Sequence, residues 1–325
     1  MCDSRYLDWF VEATPASVKH WLGDDPVRQA LEADLERTVE ARTNLGDALR
    51  YRSSCPVADA IDADYCLREI RLFDGDVAVL AGIHFFGGDV GRPFVGIEAQ
   101  TRQLTSDELV AASLNLLEEF ELFSPSATWW WRTGRQVPVP GVATVADQRF
   151  VVGSIEDFRR RSIPASDLAV SLDRAADDGS YAVYSDMFDR YLAGNPQWTG
   201  RLQKTTREDY ARCAEAGGLY LVGFEGACAG IMAASPGILR GLPGWIVMEE
   251  LFDDPLRGRG AAAHVQRRFL DQLDPTRGKL VMGTIDAANL PSLRTAQKVG
   301  RFDGGGWSFL LRPGERVSPA GIQAD

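Results

Sequence analysis

Glu249 and Glu250 sit near the end of an apolar run from Trp245 to Phe252, and Arg257-Gly-Arg-Gly-Ala-Ala262 follows a few residues later. A carboxyl group whose pKa is raised by burial can take up a proton near neutral pH, which is general-base chemistry. The glycines at 258 and 260 permit backbone torsions that other residues resist, and they let a ligand approach the main chain closely. A helix starting at Ala261 adds N–H groups without intrahelical partners and the positive end of its dipole. A diphosphate would sit favourably there. Neighbouring residues on a strand point to opposite faces, so only one of the two glutamates can face a given reactant.

The elements that must position these residues follow from hydrophobic period and turn residues. In the second half, Leu168–Leu172 is a strand, and helices cover Tyr184–Leu192 and Arg207–Ala216, the latter started by Thr205 or Thr206. Leu219–Phe224 and Cys228–Ala234 form a hairpin across Glu225-Gly226. Trp245–Phe252 is a strand, and Ala261–Leu273 is a helix with Val265, Phe269 and Leu273 on one stripe. Lys279–Asp286 is a strand, Leu290–Val299 a helix and Trp307–Leu311 a last strand.

The first half repeats this order. Helical patterns fill Tyr6–Arg50, Leu67–Leu72 and Val77–Phe86 form a hairpin across Asp74-Gly75, and Pro93–Ala99 is a strand. Asp107–Phe120 is a helix capped by Thr105 or Ser106, with Glu108 in its first turn, and Thr128–Trp131 is a further strand. We read a degenerate internal duplication from this order, with a linker near Arg159–Asp167. The copies differ before the helix, where the first reads Gln100-Thr-Arg-Gln-Leu-Thr-Ser106 without a glycine. That turn cannot form the same phosphate cradle.

Residues 165–312 resemble the GNAT (GCN5-related N-acetyltransferase) acyltransferases. The resemblance rests on Arg257, Gly260 and Ala262 in the turn after the strand. It rests also on Asn289-Leu-Pro-Ser-Leu-Arg-Thr-Ala-Gln-Lys-Val-Gly300, which looks like that family's second motif. It implies an α/β protein with a mixed sheet: two GNAT-like domains, each a mostly antiparallel sheet flanked by helices. Residues 1–160 would be a degenerate copy and 161–325 the acyl-CoA-binding catalytic copy. It further implies an acetyl-CoA or other acyl-CoA co-substrate and an amine acceptor, with no metal.

On that pattern the main chain of Leu251 and Phe252 would pair with the pantetheine arm and polarise the thioester. The N–H groups of Arg257, Gly258, Arg259, Gly260, Ala261 and Ala262 would hold the diphosphate, and Asn289 would touch the arm. The family's base often stands at the position of Ile246. Glu250 keeps that strand parity, and a bulge would transfer the choice to Glu249. The sequence departs from the family twice. Ala296 stands where many members carry a proton-donating tyrosine, and Arg301 interrupts the usual Gly-Phe. Ser292 is a donor candidate or a helix cap; Asp286 is a further carboxylate candidate.

Other residues carry weaker readings. His264 suits packing or surface, and no group near Cys213 or Cys228 visibly activates a thiol. Trp129-Trp130-Trp131 suits a core, a domain interface or an aromatic acceptor pocket.

With 45% hydrophobic and 25% charged residues, the chain reads as a soluble globular protein of two domains. The net charge of -11 argues against a nucleic-acid partner and mildly favours cationic substrates. No apolar run approaches membrane length. The five cysteines form no C-x-x-C pair and suit a reducing cytoplasm, and the three histidines show no metal-ligand spacing. The reading is an N-acyltransferase that moves an acyl group by direct attack onto a small polar metabolite or antibiotic amine. Alternatives are an acyl carrier protein as donor, transfer from aminoacyl-tRNA, or a non-catalytic CoA-binding protein.

Overall fold

A computed structural model describes residues 4–43, 65–86, 89–134, 139–140, 142–162, 168–314, 316–318 and 321–323. Cys2, Cys55, the last part of the expected helical region (44–50) and linker residues 163–167 lie outside the described residues. The chain divides into two compact units, Met1–Gln148 with Gly305–Asp325, and Arg149–Gly304.

The first unit opens with helices α1 (Ser4–Ala13), α2 (Ala16–Leu22) and α3 (Asp24–Thr43). Strands β1 (Arg68–Leu72), β2 (Val77–Phe85) and β3 (Pro93–Gln100) are antiparallel neighbours. Helix α4 (Ser106–Glu119) then leads to β4 (Ala127–Arg132), which pairs parallel with β3. Strand β5 (Thr144–Ser154) runs from the first unit into the second. The tryptophan run alternates as a strand should. Trp130 is buried against α4 and donates to Ser113 and Thr128, while Trp129 stacks on Trp307 at 5.3 Å.

The second unit continues with α5 (Ile155–Arg160), β6 (Val170–Arg174), α6 (Tyr181–Gly194) and α7 (Arg207–Glu215). Strands β7 (Leu219–Phe224), β8 (Ala227–Leu239) and β9 (Leu242–Phe252) form an antiparallel run with β6 at its edge. Helix α8 (Ala261–Gln272) crosses to β10 (Leu280–Asp286), which pairs parallel with β9. Helix α9 (Leu290–Val299) and β11 (Phe302–Leu311) follow. The sheet buries one face under α8 through Val265, Phe269 and Leu270, and the other under α6 and α7 through Tyr184, Phe188 and Tyr210. Each unit is therefore a mixed sheet flanked by helices.

The division departs from a 160/161 boundary for physical reasons. Ile155 and Phe158 are buried with Phe269 and Val299, and the Ile155 N–H donates to the Lys279 carbonyl at 2.9 Å, so this segment packs into the second unit. Gly306–Leu311 instead pairs antiparallel with β4. Strand β5 and helix α5 are absent from the sequence reading. The end of β5 is buried from Phe150 to Ser154 without alternation, and α5 is only six residues long.

Phe269 is fully buried and meets Tyr220 edge-on at 5.6 Å, which holds α8 to the sheet. Phe269→Ala should destabilise the second unit by about 3–5 kcal/mol in urea denaturation, the usual cost of deleting a core aromatic. A loss below about 1 kcal/mol would contradict this packing.

Candidate active site

β9 and β10 pair through only two residue pairs, Trp245 with Val281 and Ile246 with Met282. Beyond them the two strands run on to Phe252 and Asp286 with no further pairing among the described residues. The cause lies in β9. Its register against β8 shifts between Ala233, paired with Glu249, and Ala234, paired with Val247. Met248 is the extra residue of a β-bulge, which bends a strand and increases its local twist.

The bulge also resets which side chains share a face. Trp245, Val247 and Phe252 pack with the α8 cluster, whereas Met248 and Leu251 pack with the α6–α7 cluster. Glu249 lies on the α6–α7 side, where its Oε1 accepts from the Tyr184 hydroxyl (2.5 Å), the Thr205 hydroxyl (2.6 Å) and the Thr205 N–H (3.3 Å). Glu250 lies on the α8 side, where its Oε2 accepts from Gln266 and stands 3.9 Å from the Arg301 guanidinium. Ile246 lies against Gly237 of β8, two residues from Ser235 and on the face of Ala233. The parity argument for Glu250 is thereby reversed: Glu249 shares the face of Ile246.

Both carboxyls bind protons more tightly than ordinary glutamates. Burial pushes Glu249 up, against the opposing hydrogen bonds from Thr205 and Tyr184. Burial pushes Glu250 up to about 7, with Arg301 and Gln266 pulling the other way. Burial pushes Arg301 down, opposed by Glu250.

One cleft of about 790 Å³ gathers most of the residues expected from the sequence. Glu249, Glu250, Leu251, Phe252, Arg257, Gly258, Gly260, Ala262, Asn289 and Ser292 all line it; Arg259 and Ala261 belong to the same turn but not to the lining. Gly258 and Gly260 have φ of 70° and 77°, and a Cβ at either would meet open space, so the turn needs glycine for its torsions and presents bare main chain to the cleft. Gly260 is the N-cap of α8 and supplies no side-chain cap. Arg257 braces the turn: its Nε donates to the Phe252 carbonyl (2.7 Å), Nη1 to Asp254 (3.0 Å), and its guanidinium lies over Tyr191.

The structure revises three expectations. The Asp253 N–H donates to the Ala229 carbonyl, so by ladder alternation the Leu251 main chain is turned to β8, and the Glu250 and Phe252 main chains point toward the cleft. Ser292 does not cap α9; Asn289 does, its Oδ1 accepting from the Ser292 N–H at 3.3 Å. Asp286 lines the cleft, but Arg201 clamps it through two hydrogen bonds of 2.8 and 3.0 Å. Cys213 is buried, and burial raises its thiol to about 11, which suits packing and not nucleophilic use.

Sequence reasoning missed Tyr184, Thr205, Gln266 and Arg201, whose roles come from contacts far apart in the chain. Arg301 was visible only as an interruption of a motif. Among the described residues no helix is long and apolar enough to cross a membrane.

No family model and no curated protein matches the chain. It is similar to solved structures at low identity. A GCN5-related N-acetyltransferase from Sphaerobacter thermophilus is 13% identical over 78% of this chain and 81% of that one, with a TM-score of 0.47. A GNAT-family acetyltransferase from Colwellia psychrerythraea is 10% identical over 84% and 97%, with a TM-score of 0.45. A tandem GNAT protein from the clavulanic acid biosynthesis pathway is 13% identical over 73% and 78%, with a TM-score of 0.40.

A carboxyl whose folded pKa exceeds its unfolded value adds stability that is full below the unfolded value and lost as pH rises through the folded one. For Glu250 that window runs from 4.5 to about 7. Between pH 5 and pH 8 the protein should lose roughly 2–3 kcal/mol more stability than its Glu250→Gln variant. Parallel stability–pH curves from denaturant titrations would refute the raised pKa.

Proposed function

We propose that the second unit is an acyl-CoA-dependent N-acyltransferase that transfers the acyl group directly to the amine of a small polar molecule. The observation that carries this reading is the open fork between β9 and β10, which joins a bare glycine turn at a helix N-terminus to two proton-binding carboxyls. The residues fit an acyl-CoA chemically. Main-chain N–H groups around Gly258–Ala262 and the α8 dipole suit its diphosphate. The unpaired edge of β9 suits the amide-bearing arm, which can bond to a strand edge as another strand would. When bound, the group supplies an activated thioester.

The chain's own residues then meet the remaining demands. An N–H from the cleft-facing main chain of Glu250 or Phe252 stabilises the oxyanion that forms when the amine attacks. Glu249 takes the proton that the attacking nitrogen must lose; three donors fix its carboxylate through Oε1, leaving Oε2 to do this. The carbon–nitrogen bond forms, the carbon–sulfur bond breaks, and the sulfur departs with the bonding electrons. Asn195, Gln197 and Gln203 line the same cleft among Tyr191, Trp198 and Leu202, and these side-chain amides supply polar groups for a small amine acceptor.

Two variants test the parts separately. Gly260→Glu places a carboxylate where the diphosphate would bind and forces a side chain onto a left-handed backbone. It should weaken acetyl-CoA binding by calorimetry at least about 100-fold, a loss near 2.7 kcal/mol. Unchanged affinity would place the donor elsewhere. Glu249→Gln should leave that affinity within about threefold and lower kcat about 100-fold or more across an amine panel, the usual scale of general-base catalysis. A larger loss in Glu250→Gln than in Glu249→Gln would reverse the assignment.

A further inference from the structure

The leaving sulfur has no obvious partner, because Ala296 stands where a tyrosine donor is common and is fully buried. The structure offers a different group. Arg301 is 3% exposed, yet it lines the cleft. Its main chain is locked by the helix-ending turn of α9, where Gly300 has φ of 102° and the Arg301 N–H donates to the Ala296 carbonyl at 2.9 Å. That turn sends the side chain beneath the sheet toward the fork.

Two glycines mark its position. A Cβ on Gly283 of β10 would lie 3.6 Å from Arg301 Nη1 and 3.5 Å from the Val247 carbonyl, and a Cβ on Gly153 of β5 would lie 3.4 Å from the Arg301 Cα. The guanidinium therefore reaches the apex of the fork, one residue beyond the last β9–β10 pair. From Val247 to Phe252 the open edge of β9 spans about 17 Å, so a donor anchored at the glycine turn extends back along it toward Arg301.

Electrostatically the guanidinium is underused. Its Nε is buried without a hydrogen-bond partner, and the charged group facing it is Glu250 of β9, at 3.9 Å. That distance is longer than a tight charge-assisted bond. Glu250 is itself taken up by Gln266 of α8. A buried cation with an unmet donor favours an incoming anion, since leaving it unsatisfied is costly.

We propose that Arg301 is the group that receives the departing thiolate: its guanidinium at the apex of the fork stabilises the sulfur anion released when the carbon–sulfur bond breaks. The proposal rests on the acyl-CoA reading above. The electron pair of that bond goes to sulfur, the proton lost by the amine goes to Glu249, and no proton donor to sulfur is needed within the step. Product CoA is then held as the thiolate and gains its proton from water on release.

The test uses the wild-type chain and free CoA, without turnover. The thiolate absorbs in the far ultraviolet where the thiol does not, so the thiol of bound CoA can be titrated directly, with desulfo-CoA as the blank. The bound thiol should titrate about one or more pH units below free CoA, as expected beside a buried cation. Above the pKa of the free thiol, CoA should bind about tenfold more tightly per unit of that shift than it does below the bound pKa, while desulfo-CoA shows no such rise with pH. Arg301→Gln should restore the thiol's free titration and lower kcat about 100-fold, while acyl-CoA KM stays within about threefold; Arg301→Lys should recover part of both.

A bound thiol that titrates in the wild type as it does in solution overturns the proposal, whether or not Arg301→Gln folds. A variant that changes only the acceptor KM does so too and assigns Arg301 to an acceptor anion. Failure of CoA to bind at all removes the acyl-CoA reading itself, which separates the two failures.

Discussion

The site depends on one extra residue. Met248 gives β9 a length that β8 cannot match, and the strand absorbs it as a bulge. Below the bulge β9 pairs with β10; above it the two part. The same residue turns Glu249 to the α6–α7 side and Glu250 to the α8 side, and it leaves alternate main-chain groups directed at the opening. A regular strand of the same composition would close the fork and place the two carboxyls differently.

The first unit carries only half of this device. Its third strand also carries an extra residue, Glu98, at the register shift against Leu80 and Ala81, and β3 and β4 also pair parallel through two residue pairs. The helix that follows is closed, however. Thr105 accepts from the Glu108 N–H, the Glu108 side chain accepts from the Thr105 N–H, and Arg102 holds that carboxylate well below the ordinary range. A helix start filled by its own capping box and a carboxylate has no place for a diphosphate. In the second unit Gly260 supplies no such side-chain cap.

Much of this was legible in the sequence, unevenly. Leu219–Phe224 and Leu290–Val299 match their elements end to end, because turn and cap residues bound an unambiguous period. The glycine turn was legible because glycine has few other reasons to stand at a helix start. Strand β5 was not, since a strand buried on both faces loses its alternation. The bulge could be named only as a contingency, since one residue more or less in a strand is invisible until its partner is known. The hydrogen bonds of Glu249 to Tyr184 and Thr205, 65 and 44 residues away in the chain, left no local trace.

The central claim is that the open edge of β9 and the turn at 257–262 of the second unit hold the donor. Amide hydrogen exchange with and without CoA measures this directly, because a bound arm and diphosphate must protect the main chain they touch. The account predicts slowed exchange concentrated in residues 249–263, with the β2–β3 hairpin of the first unit unchanged. Protection confined to residues 77–108, with none at 249–263, would contradict it.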